Sequence, residues 1–219
     1  MKHIVLLHTA QSMFLSFEKR LREALSVEVK IDTILDTFLS NNPNEILEFS
    51  TNNLNRLYLT LKSAEMTGAD MIVIVCSTLS PHVKVLESFF KIPLVTIDCQ
   101  LGQEAIKYGD DIMVLTSAQS AAQPTADILY HAAAEHDRTL NIDMKYNLEA
   151  FHAMMRGDMQ THDDLMISTS GDISNKNVIV LGQGSLEHLA QRVAVASGLP
   201  VVSSPALCIQ VIKKIIESS

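Results

Sequence analysis

Two stretches decide the fold: Asp70-Met-Ile-Val-Ile-Val-Cys76 and Asn177-Val-Ile-Val-Leu-Gly-Gln183. Each carries a short, unbroken apolar run rich in β-branched residues, the pattern of a strand buried on both faces. Each is followed by a stretch with helical period and then by a strand that opens at a proline, Ile92-Pro93-Leu-Val in the first and Leu199-Pro200-Val-Val in the second. Pro93 lies 17 positions after Cys76, and Pro200 lies 17 after Gln183, with an offset of 107 between the copies. A third landmark agrees: Ile4-Val-Leu-Leu-His8-Thr9 aligns with Ile112-Met-Val-Leu-Thr116-Ser117 at an offset of 108. Three landmarks at a near-constant offset indicate an internal duplication.

Working outward, buried strands are expected at Ile4–Leu7, Met71–Val75, Leu94–Ile97, Ile112–Leu115 and Val178–Leu181, with weaker ones at Val27–Ile31, Leu140–Ile142 and Val201–Val202. Between them, helical period marks Phe14–Leu25, Ile46–Met66, Ala121–Glu135 and Leu186–Ala196. Strand alternating with helix predicts an α/β fold with parallel sheets. The expectation is two duplicated βαβ half-domains related by a pseudo-two-fold axis. The first half takes residues 1–98 and 206–219, with the final helix (Ala206–Glu217) crossing back to complete it, and the second takes 99–205.

Composition narrows the function. Of the 219 residues 47 % are hydrophobic and 19 % charged, enough apolar material for a sizeable core. A net charge of −8, with no basic stripe, argues against nucleic acid, which needs an excess of Lys and Arg. No run approaches the roughly 20 apolar residues of a membrane span. The apolar part of the N-terminus is too short for an export signal. Three cysteines, Cys76, Cys99 and Cys208, show no CxxC or His/Cys ligand spacing. No metal site or disulfide scaffold is expected, and a reducing cytoplasm is the simplest location.

In parallel sheets ligands bind beyond the carboxyl ends of strands. Four such ends carry small polar residues here: His8-Thr9, Cys76-Ser77-Thr78, Thr116-Ser117 and Gln183-Gly184-Ser185. Cys76 stands out. With Ser80 as N-cap and Pro81 at the first helical position, a helix start would lie close to the thiol. Its free N–H groups would favour thiolate and draw the pKa from about 8.5 towards neutrality. Such a thiol takes or gives a proton. The competing reading is a small buried hydrophobe.

These residues carry a family likeness. Over nearly its whole length the chain resembles the aspartate/glutamate/hydantoin racemase superfamily. The matching segments are Cys76-Ser77-Thr78-Leu79-Ser80-Pro81, Ile97-Asp98, Thr116-Ser117, Pro124-Thr125, Gly157-Asp158 with His162-Asp163, Leu181-Gly182-Gln183-Gly184-Ser185 and Ser203-Ser204-Pro205. The resemblance implies a cofactor-independent racemase or isomerase acting on an amino acid or related small carboxylate, with Cys76 as acid/base in an inter-domain cleft. It implies that Thr9, Ser77, Thr78, Thr116, Ser117 and Ser185 bind the substrate. His8 and Gly184 lie in the same strand-end loops and join the candidate set. Dimers are common in the superfamily, so a homodimer is left open.

The departure is at Gln183. Well-studied members carry a cysteine in each half, and a carboxamide cannot replace a thiol as a proton carrier. Another base would then be needed, and His162, in Thr161-His162-Asp163-Asp164, is the first candidate, with His8 second. Alternatively the reaction needs one proton donor only, as in decarboxylation of a malonate-type acid, with Gln183 stabilising charge. A third reading is a small-carboxylate binding protein without catalysis. Cys99, Cys208 and the methionines Met154, Met155, Met159 and Met166 read as packing residues. Asp98 reads as structural, and Ser204 as an N-cap before Pro205.

Overall fold

A computed structural model describes residues 1–171, 173 and 175–218, with Ser12 described by its backbone alone. The chain forms two compact units. The first comprises residues 1–99 and the chain from Pro205 onward; the second runs from Gln100 to Ser204.

In the first unit β1 (Lys2–His8) lies between β2 (Val29–Leu35) and β3 (Met71–Val75), and β4 (Leu94–Thr96) pairs with β3. All pairs are parallel, with Leu6 level with Thr33 and Val73. The apolar runs are continuous because the sheet is covered on both faces, and successive residues alternate between them. Ile4 and Leu6 of β1 and Met71, Val73 and Val75 of β3 face one way. There they meet Phe17 and Leu21 of α1 (Gln11–Ala24) and Cys208, Ile209, Ile212 and Ile216 of α10 (Ser204–Glu217). Val5, Leu7, Ile72 and Ile74 face the other way, onto Leu39 of α2 (Phe38–Ile46), Leu57 and Leu61 of α3 (Thr51–Glu65) and Val83 and Leu86 of α4 (Ser80–Leu86). Each such buried side chain contributes about 1.5–3 kcal/mol.

The second unit repeats this plan. After the short α5 (Leu101–Ala105), β5 (Asp111–Thr116) pairs with β6 (Asn141–Tyr146) and β7 (Val178–Leu181), and β8 (Val201–Val202) pairs with β7. The order β6-β5-β7-β8 repeats β2-β1-β3-β4, again all parallel. Met113, Leu115, Ile179 and Leu181 pack on Ala150 of α7 (Leu148–Met155), Met166 of α8 (Met159–Gly171) and Val193 of α9 (Ala190–Ser197). Between β5 and β6 lies α6 (Gln119–Ala134). The α/β class with duplicated parallel sheets is therefore as read from the sequence.

Local boundaries differ in five places. The single helix expected over Ile46–Met66 is α2 followed by α3. Leu47 turns the chain in the left-handed region at φ 55°, and Ser50 restarts it with a capping box to Asn53. The second strand begins two residues later than expected and runs to Leu35, and the sixth extends to Tyr146. The methionine-bearing stretch is two helices, broken where Gly157 takes φ 81°. Only Met166 of its four methionines is buried; Met155 is exposed. Ser80 is the first residue of α4 and not its cap, because a 3-10 turn over Ser77–Leu79 precedes the helix. Among the described residues no helix is long and apolar enough to cross a membrane.

Candidate active site

In the first unit β3 ends at Val75, and Cys76, still extended at φ −158°, opens the 3-10 turn. That turn aims backbone N–H groups at the sulfur. The N–H groups of Thr78 and Leu79 and the hydroxyls of Thr9 and Thr78 lie close enough to the sulfur to favour its anion, and the Leu79 N–H donates to the Cys76 carbonyl at 3.1 Å. Thr9 follows β1, the strand next to β3, so sheet order brings it there. Burial nevertheless dominates and pushes the Cys76 thiol up; the four donors offset this in part. The expected depression towards neutrality is therefore corrected. Desolvation outweighs N–H groups that belong to one short turn. Cys76 at rest is a protonated thiol surrounded by groups that would stabilise its anion.

Asp98 lies beneath this loop. Ser80 Oγ donates to Asp98 Oδ1 at 2.7 Å. Oδ2 has no partner of hydrogen-bond geometry, although the Thr96 and Ser77 hydroxyls are close enough to draw the carboxyl down slightly. Burial wins and raises Asp98 to about 6. His8, at the end of β1, is fully buried with both ring nitrogens unpartnered among the described residues, its ring 5.7 Å from Phe14 and 6.2 Å from Phe17. Burial lowers it to about 4, so the ring is neutral at pH 7.

In the second unit Gln183 stands at the position matching Cys76, one residue beyond Gly182 and opening the 3-10 turn Gly184–Leu189. Its carboxamide oxygen accepts four bonds: from Thr116 Oγ1 at 2.6 Å, Ser117 N at 2.7 Å, Ser117 Oγ at 2.9 Å and Ala118 N at 3.0 Å. Four donors converging on one oxygen form an anion-type cradle, here filled by a neutral amide. Gly182 allows the close approach: a Cβ there would fall 3.1 Å from Thr125 Oγ1. Thr125 in turn bonds the Gly182 carbonyl at 3.3 Å, tying α6 to the end of β7.

His162 is fully buried on α8. Its Nδ1 lies 2.9 Å from Asp163 Oδ1, and its Nε2 is buried without a partner among the described residues. Asp163 is partly buried, which raises it, but bonds from His162 and His188 hold it below the usual carboxylate range. An ionised carboxylate only accepts, so His162 Nδ1 donates to it and Nε2 is the nitrogen left to face another group. His188 places Nε2 2.9 Å from the same Asp163 oxygen and Nδ1 2.9 Å from the Ser185 carbonyl. Arg192 lies 3.7 Å from Asp163 Oδ2. His162, Asp163 and His188 offer ligand atoms within 4.8 Å of one another, a set that a cation could use.

The sequence-read residues thus fall into two groups. The first unit gathers Cys76, Thr9 and Thr78, with Ser77 at Asp98. The second gathers Gln183, Thr116 and Ser117, and separately His162 with His188. Ser185 contributes its carbonyl to His188, and Gly184 opens the turn. Leu79 and Ala118 were missed because they act only through backbone N–H groups, which no side chain announces. Ser204 begins α10, and its buried hydroxyl lacks a partner.

The model of the Asp/Glu/Hydantoin racemase family matches residues 40–212. No curated protein matches the chain in sequence. Among solved structures, the aspartate racemase of Picrophilus torridus is similar with a TM-score of 0.72 at 13% identity, covering 98% of this chain and 94% of that one. Allantoin racemase from Pseudomonas fluorescens gives 0.67 at 14%, covering 99% and 91%. Glutamate racemase from Thermus thermophilus, in complex with beta-chloro-D-alanine, gives 0.70 at 16%, covering 99% and 81%. At these identities the likeness is one of fold.

Proposed function

Because the chain belongs to the Asp/Glu/hydantoin racemase family, we propose that it is a cofactor-independent isomerase exchanging the α-proton of an amino acid or related small carboxylate, with Cys76 as the acid/base. The observation that carries this is the set of donors around the Cys76 sulfur, from Thr9, Thr78 and Leu79. They stabilise the thiolate as it forms, while burial keeps the resting group protonated. A group that is a thiol at rest and a supported anion in the transition state serves proton transfer in either direction. Thr9, Ser77 and Thr78 supply the hydroxyls for a substrate carboxylate or amine. In the second unit, Thr116, Ser117, Gly184 and Ser185 are assigned the same task, and Gln183 holds their loop as a hydrogen-bonding group. The proton-carrying role there falls to His162, through its unoccupied Nε2.

One observation favours a second reading. Gln183 cannot ionise, so the two strand ends together hold a single thiol proton donor. Decarboxylation of a malonate-type acid needs one proton, delivered to a carbanion after CO₂ leaves. A panel of amino acids, hydantoins and malonates incubated in D₂O separates the readings. Deuterium at the α-carbon with loss of optical purity and no CO₂ supports the isomerase. Release of CO₂ with one deuterium per product supports the decarboxylase. Binding without either outcome leaves a carboxylate-binding protein and overturns the proposal.

A further inference from the structure

The first unit carries two further cysteines that the site above does not use. Cys99 is exposed, three residues beyond Thr96, the last residue of β4; Cys208 is fully buried on the first turns of α10. Both converge on one atom. The Cys99 N–H donates to the Thr96 carbonyl at 3.2 Å, and the Cys208 thiol donates to the same oxygen at 3.7 Å. The two thiols lie close enough to perturb each other. One is open to solvent, its neighbour is sequestered, and both are gathered at the Thr96 carbonyl.

We propose that Cys99 and Cys208 form a peroxide-sensitive dithiol that closes to an intramolecular disulfide. The exposed sulfur is the attacking one. Interaction with Cys208 draws the Cys99 thiol down despite partial burial, and the same interaction pushes Cys208 up. The Cys99 thiolate attacks a hydroperoxide: an S–O bond forms, the O–O bond breaks, and water or an alcohol leaves with the proton. The Cys208 sulfur then attacks the Cys99 sulfur, an S–S bond forms, and hydroxide departs with the Cys208 proton as water. Two thiols are oxidised by two electrons and the peroxide is reduced. Closing the disulfide brings the two sulfurs to about 2.05 Å.

The location gives the bond a consequence. The chain leaves the first unit after Cys99 and re-enters it at Pro205. A disulfide here joins the exit to the return. Asp98, next to Cys99, holds Ser80 at 2.7 Å in the loop that follows Cys76.

The test reads sulfur chemistry alone, so its outcome is independent of whether the proposed isomerase activity is correct. The reduced full-length protein is exposed to a small excess of hydrogen peroxide and analysed by thiol titration and non-reducing peptide mapping. Free thiols should fall from three to one, with a single peptide pair linking Cys99 to Cys208. Cys208→Ser should instead leave Cys99 as a sulfenic acid that dimedone captures, and the folded state of that variant is checked by its circular dichroism. Cys99→Ser should keep both remaining thiols. A link between Cys76 and Cys99, an intermolecular Cys99 bond, or retention of three thiols overturns the proposal.

Discussion

The ends of β3 and β7 are built alike and filled differently. Each is followed by a 3-10 turn, each lies beside the hydroxyl-bearing end of a neighbouring strand, and each gathers four hydrogen-bond donors. In one the donors surround a thiol; in the other they surround a carboxamide oxygen. The scaffold survives duplication because it depends on strand order and turn geometry. The chemistry does not, because it depends on one atom. An N–H cradle stabilises whatever acceptor it receives, and only an ionisable acceptor makes it a proton-transfer site.

The largest expected effect breaks the comparison at the thiol. Cys76→Ala should lower any turnover by about 10²–10⁴-fold, the scale of a lost general acid/base, while substrate binding by calorimetry persists. Activity within tenfold of the parent would remove Cys76 from the mechanism.

Next come two buried groups of the first unit, whose titrations oppose each other. His8 has its folded value lowered to about 4. As pH falls below about 6.5 the unfolded chain takes up the proton first, so His8 costs about 3 kcal/mol of stability by pH 4. Asp98 is raised to about 6. As pH falls through 6 the folded chain takes up the proton first, so Asp98 restores about 2 kcal/mol over the same window. Parent stability should therefore change little between about pH 6.5 and 4. Asp98→Asn should unmask the His8 loss on acidification, and His8→Leu should unmask the Asp98 gain. Urea unfolding across that window checks both; parallel slopes in the two variants would refute the assignment.

The second cradle is sharpened by emptying it. Gln183→Ala leaves donors of Thr116, Ser117 and Ala118 without their acceptor and should cost about 1–3 kcal/mol in urea unfolding. Gln183→Glu keeps the length and offers a stronger acceptor. It should stay within about 1 kcal/mol of the parent at neutral pH, and lose stability as acid protonates the new carboxylate. If Glu destabilises as much as Ala, the cradle is not suited to an anion.

Much of this was legible in the sequence for specific reasons. Met71–Val75 and Val178–Leu181 needed only the rule that doubly covered strands are continuously apolar. The repeat gave the four strand ends at His8-Thr9, Cys76, Thr116-Ser117 and Gln183, while strand order in the folded sheets sets Thr9 beside Cys76 and Thr116 beside Gln183. What was not legible turned on balances. The direction of the Cys76 shift depends on how much solvent a turn excludes, which no spacing encodes. The break between α2 and α3 was written in Ser50 and Asn53, but the surrounding helical period masked it. Cys99 and Cys208 lie 109 positions apart, and only folding reveals that they touch.

The placement of α10 bears on synthesis. Cys208, Ile209, Ile212 and Ile216 seal one face of the first sheet, yet they lie beyond the whole second unit in the chain. On the ribosome the second unit, being continuous, can finish its own sheet while the first still shows bare apolar surface. The order of completion is therefore the reverse of the order of translation, and the unfinished sheet must stay protected from aggregation until its last helix emerges.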